Sequence, residues 1–120
     1  MEKIKKYSEN KLEKYKYTKI EKRKLKRYLE IIKIKVNAAL FKGDEVQANF
    51  VLTVSFWKII EGIFLVNNKP IPPNGSALFY LYRLPKKPSI KKIKLFLNSS
   101  VGNRINYGLN LIDWVLEHMK

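Results

Sequence analysis

The sequence predicts an α+β domain, with a basic N-terminal helical segment, an antiparallel sheet of four to five strands and an apolar C-terminal helix packed on the sheet. Three observations carry this reading. Residues 1–30 place apolar side chains at helical spacing. Two apolar/polar alternating runs, 32–41 and 46–57, flank the turn-forming Lys42-Gly43-Asp44-Glu45, which is the pattern of a hairpin. Residues 108–119 are apolar around most of a helical circumference, as a buried helix is.

The elements follow in order. Ile4, Tyr7, Tyr15, Leu25, Leu29 and Ile32 share one side of a helix, interrupted by Lys11, Thr18 and Lys22. Thr18-x-x-Glu21 has the form of a capping box, in which hydroxyl and carboxylate satisfy free N–H groups at a helix start. A break is therefore expected near Tyr17, with a helix from Thr18 to about Glu30. Residues 1–30 form a basic arm in this reading, and 31–120 a single α+β domain. In the hairpin, Ile32, Ile34, Val36, Ala38 and Leu40 and then Val46, Ala48, Phe50, Leu52, Val54 and Phe56 form the apolar face. Lys33, Lys35, Asn37, Gln47, Asn49, Thr53, Ser55 and Trp57 lie on the other face. A one-sided antiparallel sheet leaves such a face free for a ligand.

Gly62 is expected to end or bulge the second strand, and Ile63–Val66 to begin a third. Asn67–Ser76 holds three prolines and an Asn-Gly pair, so it reads as a loop. Ala77–Leu84 and Ile90–Leu97 are expected strands, although Ser89 could instead cap a helix over the second. Asn98–Tyr107 reads as a loop and Gly108–Met119 as the closing helix. Lys58 and Glu61 weigh against residues 49–66 crossing a membrane, because each charge near a helix centre costs roughly 2.5–3.5 kcal/mol on insertion. No transmembrane segment is expected. A charged start with no apolar stretch behind it predicts no secretory signal. The absence of cysteine removes disulfides and thiolate metal sites and fits an intracellular setting, cytoplasmic or nucleoid-associated.

Charge carries the functional expectation. The chain has 25 Lys and Arg against 10 Asp and Glu, a net +15 in 120 residues. Residues 1–35 hold fourteen of the cations and five of the acids, net +9. Self-repulsion of this size destabilises a small fold, so it points to a polyanionic partner. Lysine outnumbers arginine twenty-one to four, a bias that AT-rich coding also produces. The expected function is non-enzymatic binding of nucleic acid, single-stranded DNA or RNA, by a homodimer. The candidate contacts are Lys22, Arg23, Lys24, Lys26 and Arg27 in the arm, Lys33 and Lys35 on the sheet, and Arg83, Lys86, Lys87, Lys91, Lys92 and Lys94 as a clamp at its edge. Phosphate neutralisation by such groups releases counterions and gives salt-sensitive, sequence-independent affinity. Trp57 and Tyr82 are the expected stacking surfaces, worth about 1–3 kcal/mol per unpaired base. Ser99, Ser100, Gly102, Asn103 and Arg104 form a weaker phosphate-binding candidate ahead of a helix.

Catalysis finds little in the residues. His118 is the only histidine, and it stands near a helix C-terminus, where the dipole favours it. Asp44, Glu45 and Glu61 are the one set that could hold Mg²⁺ for phosphodiester hydrolysis. No cofactor is expected. The alternative function is a protein-interaction module, such as a small inhibitor or an assembly or structural factor, docking on an acidic partner; a viral or mobile-element component lies between the two. Binding to an anionic membrane surface is a third class.

Overall fold

The computed structural model describes residues 18–99 and 101–119, and among them there is no strand. Five helices follow one another: α1 (Lys19–Phe41), α2 (Glu45–Val66), α3 (Ala77–Leu81), α4 (Ile90–Asn98) and α5 (Val101–His118). The expected α+β fold and its antiparallel sheet are therefore corrected to an all-helical bundle. The part of the basic arm at residues 1–17 lies outside the described residues.

α1 begins where the capping box places it. Thr18 is the N-cap, and the Glu21 backbone N–H donates to its Oγ1 at 3.1 Å. The helix then continues through the residues expected to be a strand, because nothing between Thr18 and Gly43 breaks it. Leu25, Leu29, Ile32, Val36 and Ala39 are buried, and their 4-3-4-3 spacing is one helical stripe. The period-2 pattern is coincidental: Ile34, a member of its apolar face, is 61% exposed. α1 ends in a Schellman motif. Gly43 takes φ 76°, Asp44 N–H donates to Ala39 O and Gly43 N–H to Leu40 O, both at 2.9 Å.

Asp44 at once caps α2 by accepting from the Gln47 N–H at 2.9 Å. The run read as the second strand is apolar at both periods, and a run of this kind is arbitrated by length. Twenty-two unbroken residues make a helix. α1 and α2 pack as an antiparallel hairpin. Leu29 faces Gly62, and the Lys58 ammonium lies 5.8 Å from the Tyr28 ring centroid. α2 also ends in a Schellman motif, with Asn68 at φ 54° and Lys69 N–H donating to Phe64 O at 3.0 Å. The prolines that follow cannot continue the helix.

Gly62 is not a bulge; it is where three helices meet. A Cβ there would lie 2.6 Å from Val115 Cγ1 of α5 and 3.5 Å from Leu29 Cδ1 of α1. Gly108 plays the same part between α5, α2 and α4, where a Cβ would lie 2.9 Å from both Leu52 Cδ1 and Phe96 Cε2. Positions 52 and 62 of α2 thus meet 108 and 115 of α5, so α5 runs parallel to α2 and antiparallel to α1. The expected closing helix exists, but it starts at Val101 rather than Gly108 and packs on helices. Its first turns take up most of the expected 98–107 loop.

Three further expected strands are helical, and Ile63–Val66 is the last turn of α2. Within Ala77–Leu84, residues 77–81 form α3. Ile90–Leu97 is α4, with Ile93 and Phe96 buried one turn apart. Ser89 sits at the N-cap of α4, without a side-chain cap bond. The Asn67 side chain closes the lobe that carries α3. Its Nδ2 donates to Lys86 O at 2.7 Å, and Lys86 N–H donates back to its Oδ1 at 2.9 Å.

α2 is long and apolar enough to cross a membrane by length and composition, and half of its most apolar window is buried inside the bundle. Its core face holds one polar anomaly. Ser55 is fully buried, and its hydroxyl finds no hydrogen-bond partner among the described residues. A buried unpaired hydroxyl costs about 1–3 kcal/mol, and alanine also favours helix. Ser55→Ala should raise the unfolding free energy by about 1 kcal/mol in a urea melt. A loss of stability would mean that the hydroxyl is bonded in solution.

Candidate nucleic-acid interface

The bundle gives the basic residues of α1 a common scaffold. The helix carries eight Lys and Arg against two acids, Glu21 and Glu30. Each residue turns the helix by about 100°. The buried stripe is the Leu25, Leu29 and Ile32 side, so the cations occupy the remaining arc. Arg23, Lys24, Lys26 and Arg27 are exposed and Lys22 half-buried. Lys22 and Lys26 point toward the α5 flank, Arg23 and Arg27 straight outward, and Lys24 and Lys35 toward the opposite flank. Arg27 reaches Glu30 at 3.9 Å, a distance at which an exposed pair contributes little.

Lys33 and Lys35 do not share a face. Lys33 donates to Asp113 Oδ1 of α5 at 2.6 Å, whereas Lys35 is exposed on the other flank. Around Asp113 the charges interleave. Lys26, Glu30, Lys33, Asp113 and Glu117 line one depression, and Lys92 of α4 lines a second one with Asp113 and Glu117. Lys33 is thereby paired across the seam between α1 and α5, and the unpaired positive surface is the solvent side of α1 at residues 22–27.

The expected clamp at 83–94 is dispersed. Arg83 lies over the Phe79 ring at 3.6 Å and donates to Phe79 O at 2.7 Å. Lys86 is held by its backbone to Asn67, and the Lys87 ammonium donates to Leu84 O at 2.9 Å. On α4, Lys91 and Lys94 stand one turn apart on the same face, Lys94 with its ammonium 5.8 Å from the Tyr82 ring centroid, while Lys92 turns to the α5 flank. The stacking platform is corrected along with the sheet that was to form it. Tyr82 packs half-buried against the core. Trp57 is 38% exposed on α2, away from Lys33.

Of the remaining candidates, Arg104, His118, Asp44 and Glu61 are engaged within the fold, and Ser100 lies outside the described residues. Arg104 donates through Nε to Phe96 O at 2.9 Å and lies over the Phe96 ring at 4.7 Å, tying α5 to α4. His118 stacks on Trp114 at 4.0 Å, with Nδ1 2.8 Å from the Trp114 carbonyl. Asp44 caps α2, while Glu61 accepts from Lys58 at 3.1 Å. Asp44 and Glu61 are about 26 Å apart along α2 at a rise of 1.5 Å per residue. No cluster of three potential metal ligands occurs among the described residues.

Sequence reasoning missed one surface feature. Val46, Phe50, Val54 and Trp57 form an exposed apolar line along α2. Their spacing of four, four and three was legible as a helix face, but the alternating pattern assigned Val46, Phe50 and Val54 to a sheet core. Comparison of the chain with protein families, curated proteins and solved structures gives no significant match.

Proposed function

We propose that this protein binds nucleic acid through the phosphate backbone, with the outward arc of α1 as the principal contact. One observation carries the reading. Residues 22–27 place five cations on a helix whose single inward side chain in that stretch is Leu25. The helix is anchored by five buried residues, so the charges are displayed on a rigid rod about 35 Å long. Phosphates spaced along a nucleic acid match such a display, and their neutralisation releases counterions. The reading assigns no catalytic step and implies an intracellular setting, where nucleic acid is found.

A preference for unpaired bases is not part of the proposal, because the aromatic platform that motivated it is gone. Affinity should depend on charge density rather than on base identity. The test is fluorescence anisotropy with a labelled duplex and a labelled single strand at several salt concentrations. With about five phosphates neutralised, the slope of log K against log salt should be about −4.5 on duplex and −3.5 on single strand. Absence of binding at low salt, or a slope near zero, would overturn the reading.

A further inference from the structure

We infer that the cleft in the 67–86 lobe binds a small organic anion, an aliphatic or aromatic body with one carboxylate head. The cleft has a volume of about 640 Å³, within the roughly 300–1,000 Å³ of ligand-binding clefts. Residues 69–73 form one wall, and Tyr80, Arg83, Leu84 and Pro85 form the other. Phe64 of α2, 2% exposed, closes the bottom. Pro70, Pro72, Pro73 and Pro85 make up much of the lining. Each proline has a fixed φ and no N–H, so these walls are stiff and largely apolar. Asn67 ties the start of one wall to the end of the other. Its Nδ2 donates to Ile63 O at 2.8 Å and to Lys86 O at 2.7 Å, and its Oδ1 accepts from the Lys86 N–H. The cleft is thus shaped in advance, which spares a ligand the entropy of ordering it.

The head group follows from charge. Lys69 stands on one wall and Arg83 on the other, both exposed. Neither pairs with a carboxylate among the described residues. Residues 67–88 contain Lys69, Arg83, Lys86 and Lys87 and no acid. The clefts beside α1 and α5 differ: Glu21 and Glu61 line one, and Asp113 and Glu117 line two others. An anion is therefore accepted in the lobe and opposed elsewhere. The Arg83 guanidinium is already positioned, 3.6 Å from the Phe79 ring centroid with Nη1 donating to Phe79 O. That bond uses one of its five N–H donors and leaves enough to hold a carboxylate. The body follows from the floor, where Phe64, Ile71 and Leu84 offer hydrocarbon and Tyr80 a half-exposed ring. A nucleic-acid backbone supplies anions but no apolar body for this floor, so the site is separate from the surface of α1. Residues 1–17 hold six Lys against three Glu, a charge that suits neither Lys69 nor Arg83, so the chain's own start is not the occupant.

The test is a titration of the full chain with decanoate, kept below its micellar range and followed by amide chemical shifts, with decanol and acetate as controls. Decanoate should shift the amides of Phe64, Lys69, Ile71, Tyr80 and Arg83 along a saturable curve. Acetate, which lacks the body, should give no saturable shift there. Decanol, which lacks the charge, should bind at least about threefold more weakly, the contribution of exposed ion pairs. Lys69→Gln combined with Arg83→Gln should bring decanoate down to the affinity of decanol. Helical circular dichroism should not change, since both side chains are exposed. Replacing Lys22, Arg23, Lys26 and Arg27 by glutamine should leave this titration as it is, which keeps the result independent of nucleic-acid binding. No saturable shift would overturn the inference, as would shifts centred on Val46–Trp57 or on residues 22–27. Equal affinity for decanoate and decanol, or a preference for decanoate that survives the double variant, would overturn it too.

Discussion

Replacing Phe96 by alanine should cost about 3–5 kcal/mol, the largest single-residue loss expected in this bundle. Phe96 is fully buried. Its ring stacks on Phe56 of α2, with centroids 4.8 Å apart and planes at 25°. The Arg104 guanidinium covers it from α5, and Gly108 exists as glycine to admit its edge. Little can collapse into the space it leaves, because Leu52, Gly108 and Phe56 are fixed by helices on two sides. The helix that carries it has nine residues and buries only Ile93 and Phe96. A helix this short has no stability of its own, so removing the ring removes much of what docks α4. The loss should therefore appear first as local opening. Amide exchange over residues 90–98 should accelerate more than exchange in α1 or α2, and the urea midpoint should fall. Phe96→Leu, which keeps most of the volume, should recover more than half of the loss. A cost below about 1 kcal/mol, with exchange in α4 unchanged, would mean that α4 does not dock by this ring.

The sequence announced its helix ends better than its helix interiors. Thr18-x-x-Glu21 marked the start of α1 correctly because a cap is a local device, settled by residues three apart. Asp44-x-x-Gln47 is the same signal in another form, and it was read as part of a turn. What misled is the composition of α1 and α2. Ile, Val, Phe and Leu are so frequent that both a period of 2 and a period of 3.6 can be drawn through Ile32–Leu40 and Val46–Trp57. Only the partners decide between them: Leu29 against Gly62, and Leu52 against Gly108. Those contacts span long sequence separations, and no local pattern encodes them. The two glycines show the same limit. Gly62 reads as the end or bulge of a strand and Gly108 as the start of a helix, yet each sits within a helix where another helix comes too close for a Cβ. For the site, the identity of the charges was legible and their distribution was not. The cluster at 83–94 is compact in sequence, but the fold divides it between the 83–88 segment, where Arg83 and Lys87 bond to nearby carbonyls, and α4, which carries Lys91 and Lys94 on one face and Lys92 on another. Residues 22–27 hold together because a single helix carries them all.

That contrast sets the second large expectation. Replacing Lys22, Arg23, Lys26 and Arg27 together by glutamine should lower nucleic-acid affinity at low salt by on the order of a hundredfold, and reduce the salt slope on duplex by about 3.5. Glutamine matches these residues in helix propensity, and the buried stripe beneath is untouched. Helicity should persist, and relief of repulsion among four neighbouring cations should hold or raise the melting temperature. The comparison variant replaces Lys91, Lys92 and Lys94 by glutamine. It removes three charges, nearly as many, from a helix that does not pack on α1. Its slope should change by no more than about one, the share of a single phosphate contact. The pair of variants separates two physical causes that the net charge of +15 cannot. If a concentrated surface binds, loss follows position, and the α1 variant is far weaker than the α4 variant. If the diffuse field of a lysine-rich chain binds, loss follows the number of charges removed, the two variants fall in a ratio near four to three, and α1 is not the interface.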